Sequence, residues 1–121
     1  MNTLDQQRAQ YAWKRANQSS VVVEGYREMV KGAPALVMGN GLMATLAYYR
    51  SRSGSNERAA HLLLDDMLGW LARRQIVPAD FPAAMNAFFD AGAQDLMRAT
   101  DETLAMLRWL RQFADAVGSA R

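Results

Sequence analysis

Apolar residues recur along this chain at helical intervals, and polar clusters, glycines and prolines punctuate them. Thr3-Leu4-Asp5-Gln6 has the form of a capping box, with Thr3 as N-cap and Gln6 reaching back. Ala9, Ala12, Trp13 and Ala16 then mark the inner face of a first helix, which is expected to break over Asn17 to Ser20. Val21-Val22-Val23 is β-branched but short and without a second strand to pair with, so it reads as a turn into a second helix carrying Tyr26, Met29 and Val30. Gly32 stands where that helix would stop, and Pro34 where a third would start. The third helix takes Ala35, Met38, Leu42, Thr45, Leu46 and Tyr49 as one face, interrupted by Gly39 and Gly41. Each of these glycines costs about 1 kcal/mol against alanine in a helix interior, so a kink or a close backbone approach is expected there. After a polar loop from Ser51 to Asn56, a fourth helix buries Ala60, Leu63, Leu64, Met67 and Leu71, capped by Ser55 or Asn56 and stopped at Val77-Pro78. Asp80 caps a short fifth helix with Ala84 or Met85, Phe88 and Phe89 inward. The sixth and longest runs over about residues 93–117 on a stripe of Ala93, Leu96, Met97, Thr100, Leu104, Leu107, Leu110, Ala114 and Val117, closed by Gly118.

The short connections predict neighbouring helices packed antiparallel. The expectation is an all-α fold: one domain over residues 1–121, a compact bundle of five to six helices, mostly antiparallel. With 121 residues the chain can bury a sizeable core. The absence of cysteine excludes disulfides and thiolate metal sites. The opening MNTLDQQRAQ has no apolar signal core, and no run is long enough to cross a bilayer, so a cytoplasmic protein without a membrane partner is expected.

A net charge of +2 does not by itself indicate a nucleic-acid binder. Its distribution is more informative. Residues 1–58 carry eight basic and four acidic side chains, residues 59–121 six basic and eight acidic. Such poles permit head-to-tail association of copies, or an anion on one face; scatter over a solvated surface would look the same. Twelve of the fourteen cations are arginine, suited to bidentate phosphate contacts.

Catalytic signals are poor. His61 is the single histidine, and with Asp65 at i+4 it supplies two ligands rather than a metal site. Asp65 and Asp66 point about 100° apart on a helix and read as a solvated face. Gly39-Asn40-Gly41 lacks the lysine and the preceding strand of a phosphate loop. No catalytic residue, metal or cofactor is expected. Binding signals are better. Tyr48, Tyr49, Arg50, Ser51, Arg52, Ser53 and Ser55 put rings, hydroxyls and guanidinium groups in one exposed stretch, a combination that holds a phosphodiester backbone without reading bases. Arg50 and Arg52 are the first candidates for contact with a phosphodiester backbone, Lys14 and Arg15 the second, and Arg8, Lys31 and Arg111 weaker ones. Arg73-Arg74 reads as complementing a helix C-terminus. On the last helix Met106, Trp109 and Phe113, with Glu102, form a second stripe that is either extra core or a protein interface.

Three blocks of this sequence resemble a known family. They are Arg8-Ala9 with Ala12; Pro34-Ala35-Leu36-Val37, Asn40-Gly41-Leu42 and Leu46-Ala47-Tyr48; and Glu102-Thr103-Leu104 through Trp109-Leu110-Arg111 and Phe113-Ala114. In order and spacing they are similar to the small helical subunit of type III-B CRISPR effector complexes, the Cmr type. Tyr48 stands where Phe is expected and Arg111 where Lys is common. The resemblance implies a non-catalytic subunit that stacks with further copies of itself beside the guide-RNA-holding subunits. It implies contact with target RNA or the guide–target duplex, and cleavage by a neighbouring subunit. A helical adaptor binding only protein is the alternative.

Overall fold

A computed structural model describes residues 2–19 and 23–119. Among them the chain forms six helices and no strand: α1 (Leu4–Ser19), α2 (Tyr26–Asn40), α3 (Leu42–Ser51), α4 (Glu57–Arg73), α5 (Phe81–Phe89) and α6 (Ala93–Ser119). Val21 and Val22, read above as a turn, lie outside the described residues, as does Ser20 of the expected break. The helices form an all-α bundle, and no described helix is long and apolar enough to cross a membrane.

The helix starts follow local chemistry. Thr3 and Gln6 close the capping box: the Gln6 N–H donates to Thr3 Oγ1 at 3.1 Å and the Thr3 N–H to Gln6 Oε1 at 2.8 Å. Asp80 accepts from the Ala83 N–H at 3.1 Å and starts α5. At α4, Asn56 holds the N-cap position in a left-handed conformation without a side-chain cap bond. Glu57 instead accepts the Gly54 N–H at 3.2 Å.

The expected boundary at Gly32–Pro34 is not there. α2 runs through both residues, because Tyr26, Val30, Ala33 and Val37 form one continuous buried stripe. Pro34 removes a single intrahelical hydrogen bond, which the burial offsets. The break falls at Gly41, with φ +91° and ψ 157°, a region open in practice only to glycine. Its N–H ends α2 on the Val37 carbonyl at 2.9 Å, and its carbonyl accepts from the Thr45 N–H at 3.1 Å to begin α3. This break resets the helical phase: Leu42, Thr45, Leu46 and Tyr49 are buried as expected, whereas Met38 is 70% exposed. The Gly41 Cα has open space around it, so close helix packing is not its role. Phe89 also turns outward, leaving Ala84 and Phe88 as the inner face of α5. Gly118 does not close α6; it lies inside the helix beneath the Arg27 side chain.

α6 packs most extensively on α1 and then on α2. α1 and α4 run antiparallel, since Tyr11 meets Gly69 and Arg15 meets Asp66. α2 and α6 do likewise, with Arg27 near Gly118 and Lys31 near Asp115. The core is centred on Trp70, Tyr26, Tyr49, Leu46, Leu63, Met67, Met106, Leu107 and Leu110.

Candidate nucleic-acid interface

α3 delivers its last turn to the surface. Tyr49 points inward and is buried, and its hydroxyl, pushed up to about 12 by burial, finds no partner among the described residues. Tyr48, one residue back, is exposed. Arg52 lies over the Tyr48 ring, 5.7 Å from its centroid, and donates to the Tyr48 hydroxyl at 3.1 Å and to the Ser55 carbonyl at 3.4 Å. Arg50 lies over the Phe81 ring at 5.2 Å, while its carbonyl meets His61 Nε2 at 3.2 Å. Thus His61 helps close the end of α3. Both guanidinium groups are held by aromatic faces, an arrangement that leaves their charge uncompensated. Among the described residues neither has an ion pair, and the same holds for Lys14 and Arg111, both exposed.

The other candidates are engaged. Arg8 bridges helices: its Nε donates to Glu102 Oε1 at 2.7 Å, Nη2 to Glu102 Oε2 at 3.0 Å and Nη1 to Asp5 at 3.2 Å. Trp70 Nε1 donates to the same Glu102 at 3.1 Å. The Arg8 guanidinium therefore holds the Glu102 carboxyl below its ordinary range, against the opposing effect of burial. Lys31 stands 3.4 Å from Asp115, which also takes the Arg27 Nε at 2.9 Å. Arg15 pairs with Asp66, and its Nη1 donates to Gln18 at 2.8 Å.

Asp66 corrects the reading of Asp65-Asp66 as a solvated face. Asp65 is exposed, but Asp66 is fully buried and receives Arg15, the Tyr26 hydroxyl and, at 3.3 Å, the Ser19 hydroxyl. Burial raises its carboxyl, and those three donors act in the opposite direction. The sequence did hold a signal: Asp66 sits within the apolar stripe of Leu63, Met67 and Trp70, where a lone charge requires internal partners. The signal for the Arg8–Glu102 pair was weaker, since its members stand 94 residues apart.

The second stripe of α6 divides. Met106 is fully buried in the core and cannot dock a partner, which corrects its reading as an interface residue. Trp109 and Phe113 are half-buried against α1: Trp109 donates to Asp5 at 3.1 Å and stacks on Phe113, whose ring meets Trp13 edge to face at 5.2 Å.

The structure thus brings Arg50 and Arg52 together at one end of α4. Lys14 lies with Arg73 at the other, about 18 Å away along the helix axis. Among the described residues no three histidines or carboxylates gather as a metal site.

The comparisons with known proteins agree with this architecture. A family model described as CRISPR-associated protein (Cas_Cmr5) matches residues 4–117. The CRISPR system Cmr subunit Cmr5 of Thermus thermophilus is 30% identical over 120 residues, covering 97% of each chain. A crystal structure of a CRISPR-associated Cmr5 family protein from the same organism superposes with a TM-score of 0.79 at 30% identity, covering 97% of this chain and 98% of that one. Matching both a family sequence pattern and a family fold along nearly its whole length, the chain belongs to the CRISPR-associated Cmr5 family.

Proposed function

We propose that the chain acts as a non-catalytic small subunit of a type III-B CRISPR RNA-guided effector complex in the cytoplasm. Copies stack beside the subunits that hold the guide and support the target RNA through its phosphates. Family membership supports the placement in a Cmr complex. The observation that carries the RNA contact is the end of α3. Arg50 and Arg52, without ion pairs among the described residues, precede a polar loop and are steadied by aromatic rings and, for Arg52, by the Tyr48 hydroxyl and the Ser55 carbonyl, with no carboxylate. Arg8, Arg15 and Lys31 meet carboxylates of the fold, so their role is chiefly to join helices.

Phosphate contacts are independent of sequence and sensitive to salt. The double variant Arg50→Ala with Arg52→Ala is expected to weaken target-RNA retention by the assembled complex and leave the helical signal intact. The slope of log affinity against log salt should fall by about two, one for each lost phosphate contact on duplex-like RNA. Retention is measured on two unrelated guide–target pairs across a salt series. Equal retention by variant and wild type at every salt concentration removes these residues from the RNA site. An adaptor binding only protein would then be favoured, although the burial of Met106 has already taken away one of its anchors.

A further inference from the structure

A groove among the described residues lies away from Arg50 and Arg52. It follows the outer face of α1, encloses about 740 Å³, and is closed on one side by Arg73 at the end of α4. Three features of its lining belong together. First, it is cationic: Lys14 from α1 and Arg73 from α4 both line it, and no carboxylate does. Asp65, the nearest exposed carboxylate on α4, stands two turns from Arg73, about 12 Å along the axis. Second, it is aromatic: Trp13 is 49% exposed and Tyr11 forms the wall. Third, the remaining lining includes the amides of Gln7, Gln10, Asn17 and Gln18; Gln7 and Asn17 each spend one N–H on a backbone carbonyl and Gln18 accepts from Arg15, and each amide keeps further donor and acceptor capacity.

The aromatic groups are fixed rather than loose. Trp13 is seated edge to face against Phe113, itself stacked on Trp109. Tyr11 crosses α4 at Gly69, where a Cβ would stand 2.5 Å from its hydroxyl, and donates to the Asp66 carbonyl at 2.7 Å. The ring so anchored lies 6.0 Å beneath the Arg73 guanidinium and tilts against Trp70 at 5.2 Å. Gly69 sits in the middle of a helix, where glycine is costly, and this crossing gives the physical reason for it. Preorganised rings lose little freedom when a flat partner stacks on them.

A flat ring to stack on, two cations spaced across a cleft, and amides able to read donor and acceptor edges are the requirements for holding an unpaired nucleotide. A phosphate-only surface needs neither the tryptophan nor the amides. We infer that the α1 groove binds unpaired nucleotides of a single strand, with a base stacked on Trp13 and the flanking phosphates met by Lys14 and Arg73. This site adds base contact to the backbone contacts proposed for Arg50 and Arg52, and does not depend on them.

The test uses the purified full chain and three fluorescently labelled probes of equal length: oligoadenylate, oligouridylate and an abasic oligomer of the same charge. Fluorescence anisotropy is followed across a salt series for wild type, Trp13→Ala, Trp13→Phe, Lys14→Ala with Arg73→Ala, and Arg50→Ala with Arg52→Ala. Circular dichroism melting monitors the fold of each. Wild type is expected to bind oligoadenylate most tightly and the abasic oligomer least, since purines stack best. Trp13→Ala should weaken oligoadenylate binding about tenfold or more, and Trp13→Phe should restore most of it. Loss of Lys14 and Arg73 should lower the salt slope for all three probes. Equal affinity for the abasic and base-bearing probes, or wild-type affinity in Trp13→Ala, overturns the proposal. So does absence of binding at millimolar probe in low salt, the result for a groove that takes a protein segment. Binding lost only in the Arg50 and Arg52 variant would sink this site while sustaining the backbone contacts above. The converse pattern would sustain this site alone.

Discussion

Tyr26 and Tyr49 are both buried, but their hydroxyls are treated differently. Tyr26 donates to the buried Asp66, whereas the Tyr49 hydroxyl has no partner among the described residues. Removing a donor from a buried carboxylate leaves it undersatisfied at about 1–3 kcal/mol, whereas removing a lone buried hydroxyl relieves a desolvation cost. Tyr26→Phe is therefore expected to lower the midpoint of chemical denaturation, and Tyr49→Phe to leave it unchanged or raise it. An equal fall in both variants would show that Tyr49 has a partner of its own. The glycines divide in the same way. Gly41 has a backbone conformation closed to other residues but open space around it, so Gly41→Ala and Gly41→Leu should cost a similar amount, about 1–3 kcal/mol. A much larger loss for Leu would restore crowding as the mechanism. Gly39 lies inside α2 with space around its Cα, so Gly39→Ala should stabilise by about 0.5–1 kcal/mol. Local patterning could single out Gly39 and Gly41 as interruptions, but only the observed φ distinguishes them.

At the scale of helices, Glu102 is the clamp. It stands on α6 and takes donors from Arg8 of α1 and Trp70 of α4, so one carboxylate ties three helices. Glu102→Gln should cost about 1–3 kcal/mol at neutral pH, because it leaves a largely buried guanidinium with only the more exposed Asp5 as its counter-charge. The pH dependence has a definite sign. The Arg8 guanidinium holds the folded carboxyl below its ordinary value of 4.5, so between those values the unfolded chain binds the extra proton. The stabilisation is complete above 4.5 and is lost as pH falls through the folded value. Denaturation curves of wild type and Glu102→Gln should accordingly converge on acidification below about 4.5. A gap that stays constant into that range would mean that the pair contributes through packing alone. Asp66, raised by burial, acts in the opposite direction, so the difference between the two proteins, rather than the wild-type curve, carries the information. Helix starts set by caps, at Thr3 and Asp80, were legible in the sequence, as was the buried stripe of α4. The α2–α3 boundary was not, because Gly32 and Pro34 are the stronger local stop signals and lose to a tertiary stripe that spans them. Pairings such as Arg8 with Glu102 depend on which helices meet, and periodicity within one helix does not encode that.

Across the whole molecule the charge poles of the sequence are largely folded together. The basic first half and the acidic second half meet through Arg8 with Glu102, Arg15 with Asp66, and Arg27 and Lys31 with Asp115. Among the cations that remain outward are Arg50 and Arg52 at the end of α3, Lys14 and Arg73 beside the α1 groove, and Arg58, Arg98 and Arg111 elsewhere on the surface. The candidate site was thus half legible. The α3 cations could be read from their place beside a polar loop, whereas the groove needs α1 and α4 side by side. This arrangement bears on assembly. Head-to-tail attraction between copies would draw on the difference between the poles, and internal pairing has consumed most of it. Copies of the isolated chain should therefore associate weakly, and stacking in a complex should rely on neighbouring subunits to hold copies in line. Sedimentation velocity of the purified protein is expected to give a single species of one chain, with no shift as salt is lowered over the range where screening between exposed charges relaxes. The same preparation should leave RNA and DNA uncut. A dimer that strengthens at low salt would show that the exposed cations meet an acidic face of a second copy, and would place the drive for stacking in this chain itself.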